Sequence, residues 1–272
     1  MVQLEIEALD EGFVKSISQL LSDAGVPSVL WGDYLLTVYG VPSIIGGIEF
    51  IVPDEKISAA VTALKGSNLK RCPDPRSCVV SREHTQQPAP SFHMHLGVSE
   101  VDVSIRTHSE TLWFISPPPE DIFSDNQSLA KLQASRYIFA SDDSILPRPR
   151  HGRGHGAFSK EGFPVIVPTA HTILEAYMRL SIVHREEYSG FYLSMMTYVA
   201  EYIDADGLLD DTQLPESCRK FWHDFKDGRR QTREMMNELQ DYFDKESTEK
   251  RRGGRWSIAR LITSWLGIND GK

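Results

Sequence analysis

The sequence predicts an α/β protein: a mixed β-sheet with flanking helices, followed by a helical C-terminal region. Three observations carry that expectation. From Met1 to Leu146, short apolar runs bounded by glycine and proline alternate with segments of helical period. Beyond Thr169 the runs give way to helical periodicity alone. The 272 residues are 40% hydrophobic and 25% charged, enough apolar material for the core of one large domain or two small ones.

Leu4 to Ala24 reads as an amphipathic helix. Ile6, Phe13, Val14, Ile17, Leu20 and Leu21 recur near the helical period, and Glu5, Glu7, Asp10 and Glu11 take other faces. Gly25 and Pro27 end it. Val29-Leu30-Trp31 is a short strand, Gly32-Asp33 a tight turn, and Tyr34 to Tyr39 a helix stopped by Gly40 and Pro42. Gly46-Gly47 opens a strand over Ile48 to Val52, with Glu49 as its single charge and Pro53 as its end. Asp54 is placed to cap a helix running through Leu64, apolar at Ile57, Val61 and Leu64.

Further strands are expected at Cys78 to Val80, Phe92 to Leu96, Val101 to Ile105, Leu112 to Ile115 and Tyr137 to Phe139. Alternation over Val101 to Ile105 puts Asp102 and Ser104 on one face and the three apolar residues on the other. Pro147 to Gly162 holds three arginines, two histidines, two prolines and four glycines, the composition of a loop or linker. Helices are expected at Thr169 to Arg185, Phe191 to Ile203, Pro215 to Phe225 and Gln231 to Phe243. A charged linker, Asp244 to Gly254, and a short amphipathic helix, Trp256 to Leu266, close the chain. The expected division is an α/β domain over 1–146, a linker over 147–162 and a helical region over 163–272.

The balance of 38 acidic and 29 basic residues gives a formal charge of −9, which argues against a uniformly basic nucleic-acid-binding surface. Two local patches, Arg148, Arg150 and Arg153, then Lys250, Arg251, Arg252 and Arg255, can still attract phosphate. No aromatic residues interleave the first patch, so RNA as a partner rests on charge alone. Cys72, Cys78 and Cys218 are an odd set without paired motif spacing and read as ordinary thiols of a reducing compartment. His93 and His95 share a strand face. With no Cys or His set at ligand spacing to complete a site, they read as half-exposed strand histidines. The N-terminus lacks the basic start and apolar run of a signal peptide, and no run reaches the ~20 apolar residues of a membrane span. The expected location is the cytoplasm, with the nucleus as the alternative. No nucleophile elbow, Walker A loop or dinucleotide fingerprint is present.

Two stretches carry a resemblance. Leu30-Trp31-Gly32-Asp33-Tyr34-Leu35-Leu36 is similar to the hydrophobic-Gly-Gly/Ser turn that enters a helix in the nucleotidyltransferase-fold superfamily. Gly46-Gly47-Ile48-Glu49-Phe50-Ile51-Val52-Pro53-Asp54 is similar to its acidic-x-acidic strand, and Tyr39-Gly40-Val41-Pro42 looks like the phrase that often precedes that strand. The likeness covers about the first half of the chain and implies a nucleotidyltransferase-like sheet. It also implies Mg2+ and a nucleoside triphosphate, because nucleotidyl transfer uses two divalent ions flanking the α-phosphate. Carboxylates two apart on a strand face the same ion pair, and a third arrives from a neighbouring strand.

Carried onto this chain, the second carboxylate is Glu49, the third is Asp102, and the first position is Gly47, which has no side chain. Glu49 and Asp102 are thus the candidate catalytic and metal residues. Gly32 and Asp33 fall in the phosphate-facing turn, where a carboxylate would repel triphosphate, and Arg148 and Arg150 are candidate phosphate clamps. The expected function is a divergent member with a degenerate metal site, binding a nucleotide or partner with weak or no nucleotidyl transfer. Two alternatives stand beside it. One is an active Mg2+-dependent transferase acting on a small-molecule or RNA acceptor. The other is the same fold serving a different small-molecule reaction or acting as a pure interaction protein.

Overall fold

The computed structural model describes residues 2–4, 9–74, 77–81, 87–96, 101–120, 122–123 and 132–265, with the backbone path alone over 249–265. The chain forms two compact units, Met1–Gln213 and Leu214–Lys272. The first holds a mixed sheet with flanking helices, the expected fold class, and it includes β-sheet and helix residues beyond 146.

Helix α1 is Glu11–Asp23. It begins later than its periodicity predicts because Asp10 is extended and its side chain accepts the Phe13 N–H at 3.0 Å, closing the first turn. Leu4 lies outside the helix, and its N–H donates to Asn68 Oδ1 at 3.0 Å. Residues 5–8 of the predicted helix lie outside the described residues. Strand β1 (Val29–Trp31) runs into α2 (Gly32–Val38) through Gly32, whose φ of +69° is a left-handed value that favours glycine. Strand β2 (Gly47–Val52) follows, then α3 (Ile57–Lys65). Asp54 does not cap α3. Its Oδ1 accepts the Ser109 N–H at 3.1 Å, in the first turn of the short helix α4 (His108–Thr111).

The described strands form one sheet in the order β3-β4-β5-β2-β1-β7-β6. Here β3 is Lys70–Arg71, β4 Phe92–His95, β5 Asp102–Thr107, β6 Tyr137–Phe139 and β7 Ile166–Pro168. The β2–β5 and β1–β7 pairs are parallel and the other pairs antiparallel. Strands β3 and β7 were not expected from sequence, since two or three residues are too few to display alternation.

Two expected strands are turns instead. Cys78 to Val80 is a turn in which the Cys78 N–H bonds Asp74 O and the Ser81 N–H bonds Cys78 O. Leu112 to Ile115 is a turn closed by the Leu112 N–H on His108 O and the Ile115 N–H on Leu112 O. Pro117, Pro118 and Pro119 follow it and have no N–H to extend a ladder.

Register sorts the sheet into two faces, because residues opposite one another on neighbouring strands point the same way. Ile48 lies opposite Val103, Phe50 opposite Ile105, and Met94 opposite Val103, all buried, on the apolar face. The other face carries Gly47 opposite Asp102, Glu49 opposite Ser104, Ile51 opposite Arg106, and His93 and His95 opposite Ser104 and Asp102. This second face is roofed rather than open. Asp102, Ser104, Arg106 and His93 are all buried. Helices α5 (Ala170–Val183) and α6 (Ser189–Tyr198) supply much of the roof.

The arginine- and glycine-rich stretch 147–162 is loop, as composition predicts, but a tightly docked one. The Gly154 N–H bonds Gly40 O at 2.9 Å and the Gly156 N–H bonds Thr37 O at 2.9 Å, which satisfies carbonyls at the end of α2. A Cβ on Gly154 would lie 2.5 Å from Val41 O and 2.6 Å from Thr37 O. Glycine here permits close backbone approach rather than looseness.

The second unit holds α7 (Glu216–Asp227) and α8 (Thr232–Trp265). Gly228 ends α7 in the left-handed conformation, at φ +67°. Arg230 bridges Asp224 at 2.7 Å and Glu238, tying the two helices. The expected linker Asp244 to Gly254 is instead part of α8, which runs on through the expected Trp256 helix. No proline interrupts this stretch. No helix among the described residues is long and apolar enough to cross a membrane.

Gly154→Ala should lower stability by about 1–3 kcal/mol, because both clashing atoms are backbone oxygens that cannot rotate away. Denaturant titration of the two proteins measures it.

Candidate functional site

The roofed face of the sheet opens into a cleft of two adjoining lobes within the first unit. The larger has a volume of about 930 Å³ and a polar floor, Glu49 from β2 and Asp102, Ser104 and Arg106 from β5, with Asp33 at its edge. The smaller, about 580 Å³, is walled by aromatic residues, among them Trp31, Trp113, Tyr177 and Tyr192. Asp33, Arg106, Phe191 and Met195 line both. The ring centroids of Trp31 and Tyr177 are 5.7 Å apart and those of Tyr177 and Tyr192 6.3 Å, within the range of aromatic pairs.

Glu49 and Arg106 form the centre. Arg106 Nε donates to Glu49 Oε2 at 2.5 Å, and both side chains are largely buried. The guanidinium makes two further bonds: Nη2 donates to Pro88 O at 2.8 Å and Nη1 to Ala89 O at 3.4 Å. Burial works against the Arg106 charge, but the charge and hydrogen bond of Glu49 outweigh it, and the net shift is upward. On its other side Glu49 abuts the Gly32 turn. A Cβ there would meet Glu49 Cδ at 3.3 Å and Oε1 at 3.4 Å, so this turn faces a carboxylate of its own chain.

The two remaining carboxyl groups sit in a low-dielectric floor. Burial pushes Asp102 up to about 7; the hydrogen bond donated by Ser104 opposes the rise, Glu49 adds to it and Arg106 opposes it. Burial pushes Asp33 up to about 6, and the Glu49 charge adds to that. At neutral pH the floor thus holds one ion pair, Asp102 close to half-ionisation and Asp33 mostly ionised. Burial raises both Tyr177 and Tyr192, so their hydroxyls stay neutral.

The floor was tested against the magnesium pair that the resemblance implies. A two-ion centre needs carboxylate oxygens free and aimed at shared points. Position 47 offers none. The place where its Cβ would stand lies 2.5 Å from Asp102 Oδ1 and 2.9 Å from Asp102 O, so the Asp102 carboxyl occupies that space. Glu49 is taken by Arg106, and Asp102 by Ser104. Among the described residues, the ligand atoms that converge within 4.8 Å of one another belong to Cys72, Cys78, His93 and His95, not to these carboxylates. This donor set does not fit a magnesium pair.

The structure brings Gly32, Asp33, Glu49 and Asp102 to one cleft. Arg148 and Arg150 line neither lobe. Arg150 is held by Asp206, which also takes Arg153 at 3.3 Å. Arg106 was missed from sequence, although the alternation Asp102-x-Ser104-x-Arg106 places it on the same face. The aromatic wall was missed because helix residues such as Tyr177 read as core by period. The expectation of half-exposed strand histidines holds for His95 and is corrected for His93, which is buried; both rings point Nε2 at Cys78.

No protein-family model matches the chain, and no curated protein matches it. Among solved structures, the solution structure of the antibiotic-resistance factor ANT(2'')-Ia is similar at 11% sequence identity and a TM-score of 0.30, over 89% of this chain and 95% of that one. A likeness at that TM-score carries no argument about function.

Gly47→Asp, which rebuilds the acidic-x-acidic strand, should destabilise the protein by about 1–3 kcal/mol and add no magnesium affinity, since its side chain must displace Asp102. Thermal melts with and without magnesium read both effects. Asp102→Asn gives a pH signature. A carboxyl raised on folding stabilises most below its ordinary value of 3.8 and loses that contribution as pH rises to about 7. The variant, which keeps the neutral form, should match the parent near pH 4 and exceed it at pH 8, by up to about 4 kcal/mol. Melting temperatures across that range measure the difference.

Proposed function

We propose that this chain is a divergent nucleotidyltransferase-fold protein whose metal site has degenerated, and whose cleft binds a small molecule with nucleotidyl transfer weak or lost. The Glu49–Arg106 ion pair carries the reading. A buried guanidinium neutralises the carboxylate that the resemblance assigns to a metal ion, through a short charge-assisted hydrogen bond. Membership of the fold draws support from the strand–Gly32–helix entry and from β2 pairing with β5, which sets Glu49 and Asp102 on one face.

The lobes favour one ligand chemistry. A planar ring can pack against the wall that Trp31, Tyr177 and Tyr192 form, where stacking and apolar contact hold it. The polar end then lies over Asp33 and Asp102, beside an arginine already paired. A triphosphate would set several negative charges against three carboxyl groups, and Arg106, the one arginine or lysine that lines the lobes among the described residues, is already paired with Glu49. A nucleoside, or another ring-bearing molecule with a neutral or cationic polar end, suits this floor better.

A second reading has its own observation. Asp33 and Asp102, held at about 6 and about 7, can each exchange a proton near neutral pH, which suits acid–base chemistry on the bound molecule.

Calorimetric titration with ATP, GTP, CTP and UTP, each with and without magnesium, and with the four nucleosides, tests the proposal. Nucleosides should bind at least as tightly as triphosphates, with no gain from magnesium. Phe191→Ala, which strips a ring from both lobes, should weaken binding about tenfold. Magnesium-dependent triphosphate binding that disappears in Asp102→Asn would restore an active transferase. Silence with every ligand would sink the nucleoside reading.

A further inference from the structure

On the same face of the sheet, two strands out from Glu49, four side chains gather that the cleft chemistry does not use. We propose that Cys72, Cys78, His93 and His95 form a closed, four-coordinate zinc site that fastens the wall of the cleft to the sheet.

The sequence brings them together by two different routes. His93 and His95 alternate on β4 and so share a face. Cys72 stands one residue beyond Arg71, the last residue of β3 that pairs with β4, on the register that sets it opposite His93. Cys78 arrives from the turn that follows, with its N–H on Asp74 O. Each residue offers one ligand atom, and all four atoms lie within 4.8 Å of one another. Cys78 Sγ is 3.5 Å from His93 Nε2 and 3.5 Å from His95 Nε2. Zinc–sulfur and zinc–nitrogen bonds of about 2.3 and 2.0–2.1 Å at the tetrahedral angle give a sulfur–nitrogen edge of about 3.6 Å, so the observed edges match a tetrahedron about a metal.

The chemistry of the donors selects the ion. Two thiols and two imidazoles are a soft set that suits zinc and does not suit magnesium or calcium. Four protein ligands leave no open position, the pattern of a structural rather than a catalytic centre. Metal binding takes one proton from each thiol and leaves each imidazole neutral. His95 gives an independent reason. Its Nε2 faces a thiol, a weak hydrogen-bonding group, and among the described residues its buried Nδ1 has no hydrogen-bond partner. A metal–nitrogen bond justifies holding that ring in place. Both cysteines are free thiols, so no disulfide competes for them here.

The location gives the site a role. The chain between Cys78 and His93 lines the cleft through Val79, Val80 and Pro90, and it carries the Pro88 and Ala89 carbonyls that receive Arg106. Zinc would anchor this wall at both ends, at Cys78 and at His93. It would also tie β3, an edge strand of two residues, to β4.

The full chain, grown with added zinc and purified without chelator, should carry one zinc per chain by elemental analysis. Cys78→Ser and His95→Asn should lose it, and Cys218→Ser, altered in the other unit, should keep it. Cobalt(II) added to metal-stripped parent protein should give the thiolate charge-transfer band and intense visible bands of a tetrahedral ion, a readout that needs no variant to fold. Chelator should lower the melting temperature of the parent protein. Absence of zinc together with an octahedral cobalt spectrum would overturn the site. So would zinc retained in Cys78→Ser, or a Cys72–Cys78 disulfide in protein isolated under reducing conditions.

Discussion

The ladder between β2 and β5 is the constraint on which the rest depends. Its parallel register fixes Gly47 against Asp102 and Glu49 against Ser104, and it brings Arg106 within reach of Glu49. A shift of β2 by one residue would turn Ile48 and Phe50 into the cleft and Glu49 into the apolar core. The buried apolar partners Val103 and Ile105 therefore specify the polar site as firmly as the polar residues do. Burying an ion pair gains little stability over an apolar pair, but breaking one side of it costs several kcal/mol. Glu49 and Arg106 are consequently locked to one another, whatever the cleft holds.

The same ladder explains the electrostatics. Desolvation leads the shifts of both Asp33 and Asp102, and Glu49 raises each further. Arg106 can offset only part of this, because its guanidinium is committed to Glu49 and to two carbonyls. The floor ends with more carboxyl groups than cationic partners, and it lowers its charge by keeping protons. This differs from a metal-binding floor, where the ion itself would draw the protons off.

Much of this was legible in the residues. Alternation in Val101 to Ile105 gave the correct faces, and the glycine turn before α2 announced the entry to the site. What stayed hidden was register over long separation. Nothing near Gly47 in sequence says that Asp102 fills its missing side chain, and nothing near Cys72 says that it meets His93 and His95. The Cys72–Cys78 spacing looks wrong for a zinc knuckle because a strand pair, rather than a single turn, closes the set. The glycine-rich loop misled in the opposite direction. Composition reads as slack, whereas Gly154 and Gly156 are there so that backbone can touch backbone. Likewise the charged run after Asp244 reads as linker, yet the backbone continues through it as helix.

The parallel pairing of β1 with β7 has a consequence for how the molecule is made. Val29 pairs with Ile51 on one side but finds its neighbour on the other at Ile166, and the Gly40 carbonyl receives the N–H of the distant Gly154. A nascent chain on the ribosome therefore exposes one edge of its central sheet until the residues of β7 have emerged, with β1 open to pairing with another chain. Folding has to wait for this distant closure, which by its long loop is slow. Protection of that edge during synthesis then falls to whatever receives the emerging chain.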